Sequence, residues 1–193
     1  MQIIVNALLS KIKEYNPELN EAQINSRRFG LETLVNELSK ALIYLIIAAI
    51  FSLTGYYLLS LFIYSTLRLA TGGYHAKSYI GCLVSSFIVF AAAIFAGQYV
   101  EMTVWMQAAA LIAAFVITLI FAPVKHKNTT RKNLANLKRY RLLSLVLVLG
   151  WSVIALLLPG AWGITAVVTI LIEALMQPLG KLFNPAVKIE SGG

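Results

Sequence analysis

The sequence predicts an all-α polytopic integral membrane helix bundle: four full spans, a re-entrant or extra hydrophobic hairpin, and amphipathic amino-terminal helices. Three observations predict it. Of the 193 residues, 59% are hydrophobic and 12% charged, against roughly 25% charged in an average soluble domain. With a mean hydropathy of +0.78, too few polar side chains exist to coat a water-soluble globule, and disorder is excluded by the same excess of apolar residues. Charge-free runs of about 20 residues or more, enough to cross the ~30 Å hydrocarbon core, recur along the chain. Finally, the 16 Lys and Arg, against 8 Asp and Glu, gather in short segments between those runs. That is how cytoplasmic loops of membrane proteins look, so the basic balance points to a membrane and not to nucleic acid. The length suits one membrane domain, 1–193.

Residues 1–40 come first. Ile3, Ile4, Ala7, Leu8 and Ile12 recur at helical spacing, as do Leu31, Leu34, Val35 and Leu38, with charged residues on the other sides. Asn16-Pro17 separates the two patterns. Both are expected as amphipathic helices along the membrane surface, the alternative being a small soluble lid over the loops. No basic start, apolar centre and small-residue cleavage site marks a secretory signal here. The uncharged run Ala41–Leu67 follows. A single crossing would place residues 1–40, with their five bases and five acids, outside. A hairpin bent near Thr54-Gly55 returns to the starting side and is the preferred reading. Its arms, about 12 residues each, are too short to span fully.

The segment 68–82 is expected as a loop and helix start, and transmembrane helices at 78–100, 102–124, 142–158 and 162–179. The last two divide one run, Leu142–Ile172, at Pro159-Gly160, where both residues disfavour a continuing helix. Between 102–124 and 142–158, the segment 125–141 holds Lys125, Lys127, Arg131, Lys132, Lys138, Arg139 and Arg141 and no acid. The positive-inside rule makes this basic loop cytoplasmic. Counting outward, Arg68–Lys77 and the tail with Lys181 and Lys188 are cytoplasmic as well, and Glu101 and the Pro159 turn are external. Glu173 falls inside the last span, where a carboxyl calls for a partner on another helix or across a subunit contact.

The residues with chemistry concentrate in 68–82. His75 is one of two histidines, and Cys82, the only cysteine, can form no intrachain disulfide. A thiolate is a strong nucleophile, and imidazole is the usual base that generates it. Gly72-Gly73 frees the backbone to approach a substrate or aim N–H groups at an oxyanion. Along one straight helix, the seven residues from His75 to Cys82 would separate the Cα atoms by about 10.5 Å, too far for a hydrogen bond. A catalytic pair therefore needs the helix to start after His75. Ser78 is a candidate N-cap for that start, which would put Cys82 near the positive end of the helix, with Lys77 adding charge. By themselves the same residues also make an ordinary membrane-helix start, with a small buried Cys and a turn-capping His. His75, Cys82 and His126 fall short of the four ligands of a structural zinc site, so no metal and no cofactor is expected.

The run Arg68…Gly72-Gly73-Tyr74-His75-Ala76…Cys82 resembles the signature of the accessory gene regulator B (AgrB) family. Phe29-Gly30-Leu31-Glu32 before the first apolar run, Ala122-Pro123 before the basic loop, and the overall length resemble it too. The resemblance implies a cell-membrane cysteine endopeptidase of Gram-positive bacteria that processes the precursor of a cyclic quorum-sensing peptide; the charge count above puts its catalytic loop on the cytoplasmic side. It implies Cys82 as nucleophile and His75 as general base. The precursor would be cut on its carboxyl-terminal side to leave a Cys82 thioester. An internal cysteine or serine of the peptide would then attack, closing a thiolactone or lactone without ATP. Such a site must keep water off the thioester, and the amphipathic amino-terminal helices could roof it.

Other residues carry two readings each. Glu32 and Glu37 either orient His75 or lie on a solvated helix face. Arg68, which closes the uncharged run, binds a substrate carboxylate or Glu32, or anchors at headgroups. Lys125, Lys127, Arg131 and Lys132 hold the acidic carboxyl-terminal segment that the resemblance implies for the precursor, or bind anionic lipid headgroups. Ala91–Ala93 and Ala108–Ala110 suit close helix packing, within one chain or in a homodimer. The alternative function is a small non-enzymatic membrane transporter or peptide export component, with a structural subunit of a membrane complex as a third.

Overall fold

The structure is a computed structural model that describes residues 2–16, 18, 20–72, 78–124 and 134–183. Among the described residues seven α-helices fall in two compact units, Met1–Ser52 and Leu53–Gly193.

The first unit holds α1 (Gln2–Tyr15) and α2 (Glu21–Ile50). The interruption falls where Asn16-Pro17 predicts it. Asn20 then starts α2 with a capping box: its side chain accepts from Gln23 N at 2.9 Å, while the Gln23 side chain accepts from Asn20 N at 3.2 Å. This satisfies two of the donors that a helix start leaves open. α1 packs on α2, with Val5 and Leu9 buried and Arg28 Nη2 donating to Asn6 Oδ1 at 3.1 Å. The boundary expected at residues 40 and 41 does not exist in the backbone. No Gly or Pro occurs from Leu31 to Ile50, so the amphipathic stretch continues without a break into the apolar one. At 1.5 Å per residue the 30-residue helix is about 45 Å long, longer than the hydrocarbon core is thick. The interruption inside Ala41–Leu67 lies at Phe51–Leu53, where Ser52 takes a φ of 58°, just before Thr54-Gly55. Gly55 is instead helical, and its close neighbour explains it: a Cβ there would come within 2.6 Å of the Trp162 ring.

The second unit contains α3 (Thr54–Thr71), α4 (Tyr79–Tyr99), α5 (Val104–Phe121), α6 (Leu134–Leu157) and α7 (Gly160–Phe183). The break between α6 and α7 sits at Leu158-Pro159, with Gly160 at a φ of 48°. The basic segment expected as a loop through 141 is shorter than that, because α6 begins at Leu134 and places Lys138, Arg139 and Arg141 on a helix. Likewise Arg68 to Thr71 close α3 and do not belong to a loop.

The last of these helices is the central one. α7 packs against α3, α4, α5 and α6, while α3 also touches α4 and α6, and α5 touches α6. Ile63 and Leu67 of α3, Leu111 and Ala114 of α5, Val148 and Ala155 of α6 and Val167 and Ile170 of α7 share one core. Small residues set the closest approaches, as is usual where lipid supplies no hydrophobic drive. A Cβ on Gly97 of α4 would lie 2.7 Å from Ala161 O, and one on Gly163 would lie 2.6 Å from Leu158 O. Polar side chains join helices across the interior: Trp151 Nε1 donates to Thr66 Oγ1 at 2.9 Å and Thr169 Oγ1 to Ser60 Oγ at 3.2 Å. Outward-facing Phe87, Ile88, Phe95, Ile112 and Val153 are exposed, which suits lipid and not water. Five helices among the described residues are long and apolar enough to cross a membrane: α2, α4, α5, α6 and α7. The protein is an all-α, multi-pass membrane bundle.

Candidate functional site

One end of the second unit gathers the end of α3, the end of α5, the start of α6 and the end of α7. Contacts there tie the ends together. Val124 N donates to Thr71 O at 2.7 Å, Arg141 Nη2 to Leu119 O at 2.6 Å, and Gln177 Nε2 to Thr118 Oγ1 at 3.1 Å. The Lys181 ammonium stands 5.6 Å from the centre of the Phe121 ring.

Arg68 and Gly72 meet at this end. One turn apart on α3, they are joined twice: Gly72 N donates to Arg68 O at 3.0 Å, and Arg68 Nη1 donates to Gly72 O at 3.4 Å. The guanidinium also lies 5.7 Å from the centre of the Tyr64 ring and within electrostatic reach of Glu173. Gly72 ends the helix at φ 73°, ψ −150°, a region essentially reserved for glycine. There is no space for a side chain either, because a Cβ would lie 2.7 Å from Val124 O.

Cys82 lies in the first turn of α4. Ser78 is the N-cap, in extended conformation, with its Oγ accepting from Gly81 N at 3.0 Å, and Cys82 N donates to Ser78 O at 3.0 Å. α4 therefore begins at Tyr79, four residues after position 75, and its N-cap Ser78 lies between the histidine and the cysteine in the chain. The Cys82 side chain is half-buried, at the end of the helix where the unpaired N–H groups concentrate positive potential.

Sequence reasoning missed a buried polar stripe. Thr165, Thr169, Glu173 and Gln177 recur every fourth residue along α7, and all four are fully buried. Thr71 Oγ1 donates to Glu173 Oε1 at 2.7 Å, and Gln177 Nε2 donates to Glu173 Oε2 at 3.3 Å. The acid in the last span thus has its partner on another helix, α3. The i, i+4 spacing of polar residues within an apolar run was the signal that could have found the stripe.

The family described as Accessory gene regulator B matches residues 2–177. This chain belongs to that family. A protein of Clostridium beijerinckii described as AgrB-like is 29% identical over 148 residues, covering 76% of this chain and 73% of the relative. No solved structure matches the chain. The AgrB family is linked to processing of autoinducing peptides.

Of the other site residues expected for an AgrB protein, Gly73, His75 and Lys77 lie outside the described residues, as do Lys125, Lys127, Arg131 and Lys132. Glu32 belongs to the first unit, where it lines a small cavity with Val5, Asn6 and Arg28. Glu37 accepts an ion pair from the buried Lys40 at 2.5 Å. Among the described residues no group of three or more His, Cys, Asp or Glu is placed to hold a metal ion.

Proposed function

We propose that this AgrB-family protein is a membrane cysteine endopeptidase that cuts a signalling propeptide on its carboxyl-terminal side and promotes its cyclisation. The observation that carries this reading is the helix start at Ser78. It frees the seven-residue spacing of His75 and Cys82 from helical geometry and sets the sulfur, half-buried, in the first turn of α4. His75 takes the Cys82 proton, and the thiolate attacks the scissile carbonyl. The imidazolium returns its proton to the departing amine, leaving a thioester on Cys82. A thiol or hydroxyl within the peptide attacks that thioester, closes the ring and restores the Cys82 thiol. The thioester conserves the acyl activation, so ring closure consumes no further energy source.

In this reading the site faces the cytoplasm, on the side where the basic segments gather. Lys125, Lys127, Arg131 and Lys132 hold the acidic tail of the propeptide, and Arg68 and Gly72 shape the exit of α3. Cleavage should then weaken with rising salt when Lys125 and Lys127 are neutralised.

The test uses the full chain in lipid vesicles with synthetic peptides that carry an internal cysteine followed by an acidic carboxyl-terminal segment. Mass spectrometry should find an acyl adduct on Cys82, cyclic product and released acidic tail, and Cys82→Ser should abolish all three. A transporter would tolerate Cys82→Ser, so peptide processing undiminished in that variant refutes the enzyme reading.

A further inference from the structure

The proposed chemistry uses no residue of α7, yet α7 carries a carboxyl with no exposed surface, Glu173. Burying an acid inside a membrane bundle is costly even when it is hydrogen bonded, and an aliphatic side chain of similar size would pack there without that cost. What the carboxyl holds is therefore informative. The Thr71 hydroxyl has one hydrogen and three acceptors in range: Gly72 O at 3.0 Å, Leu67 O at 2.9 Å and, nearest, Glu173 Oε1 at 2.7 Å. The other carboxyl oxygen accepts from Gln177 Nε2, which is also fully buried and also bonded to Thr118 of α5. The carboxyl is thus held at both oxygens and cannot swing away from Thr71 without losing a bond.

Thr71 is consequently fixed from two directions: its side chain to α7, and its carbonyl to Val124 N at 2.7 Å. The next residue, Gly72, ends α3 in a conformation that favours glycine, with Val124 O so near that a Cβ would lie 2.7 Å from it. From this clamp the chain reaches His75 in three residues. Three residues span at most about 10 Å, so where the clamp stands bounds where the histidine can be.

We infer that Glu173 is a positioning residue for the peptidase site: by holding Thr71 it fixes where α3 ends and so where the segment carrying His75 begins. This rests on the peptidase reading. The role is geometric, since Glu173 acts through the Thr71 hydroxyl and touches neither peptide nor nucleophile.

Cys82 is the only cysteine in the chain, so alkylation by iodoacetamide reports on it alone and needs no propeptide. The full chain in lipid vesicles would be alkylated across pH and quantified by mass spectrometry for five proteins: unaltered, His75→Ala, Thr71→Val, Thr71→Ser and Glu173→Gln. If imidazole serves the sulfur, His75→Ala slows alkylation near neutral pH and moves its rise to higher pH. Thr71→Val, which keeps the shape and loses the hydroxyl, is expected to move the profile the same way and to slow neutral-pH alkylation roughly tenfold or more, while Thr71→Ser stays within about threefold of the unaltered protein, since misplacement by ~1 Å costs up to ~100-fold. Glu173→Gln keeps an acceptor for Thr71 and should resemble Thr71→Ser. A change in stability alone does not shift a pH profile. An unaltered profile in Thr71→Val overturns the inference, as does Thr71→Ser falling with Thr71→Val. An unaltered profile in His75→Ala refutes the peptidase reading itself, and the inference with it.

Discussion

Replacing Gly72 by alanine tests the end of α3 most directly. Its φ of 73° and ψ of −150° lie where a residue with a Cβ pays about 1–3 kcal/mol. The new methyl would also stand 2.7 Å from Val124 O, so Val124 must move. Its N–H donates to Thr71 O at 2.7 Å, and losing a hydrogen bond of this kind costs about 1 kcal/mol. Together Gly72→Ala should destabilise the second unit by about 2–4 kcal/mol. For chains of this length each kcal/mol moves the midpoint by roughly 2–4 °C, so thermal unfolding in detergent should fall by about 5–15 °C. Gly150→Ala is the matched control. It lies on α6 where a Cβ meets nothing within 4 Å, and helical Gly→Ala should gain about 0.5–1 kcal/mol. If Gly72→Ala melts within about 2 °C of the unaltered protein, neither the strain nor the Val124 contact operates.

Further consequences are accessible to the same measurements. Gly97→Val should drive α4 off α7, because the Cβ would meet the backbone oxygen of Ala161 at 2.7 Å; a loss of about 1–3 kcal/mol is expected in detergent unfolding. Trp151→Phe removes the 2.9 Å bond to Thr66 Oγ1 but keeps the edge-on contact with Phe62, so it should cost about 0.5–1.5 kcal/mol and leave Cys82 alkylation unchanged. Ser78→Ala deletes the cap on Gly81 N and should cost about 0.5–2 kcal/mol. Hydrogen exchange of the amides at 79–82 should then speed up, with those at 90–99 unaffected.

The start of α4 was legible in the sequence because a Ser after a Gly-Gly-containing segment has few other uses, and the break at Pro159-Gly160 was legible because both residues resist helix. The positions of α4 and α5 followed from apolar length, whereas α6 starts well before its apolar run. Which helix stands at the centre did not follow. In lipid, outward and inward faces are both apolar, so Ile112 on the surface and Leu111 in the core read alike. Only the fourfold recurrence of Thr165, Thr169, Glu173 and Gln177 marks α7. The expected boundary after residue 40 failed for a related reason: charge stops there, but nothing breaks the helix, and backbone propagation follows breakers and not polarity. The helix break at Ser52 has no Gly or Pro to announce it, and Gly55 lies inside α3 in close approach to Trp162.

The middle position of α7 has a consequence for biogenesis. Synthesis proceeds from the amino terminus, so α3, α4, α5 and α6 leave the ribosome before the helix they surround. Until α7 is threaded among them, Thr71 lacks the carboxyl that holds it, and the bundle has lipid where its interior will be. Nascent chains arrested before Glu173 should therefore insert into the bilayer yet remain proteolytically soft.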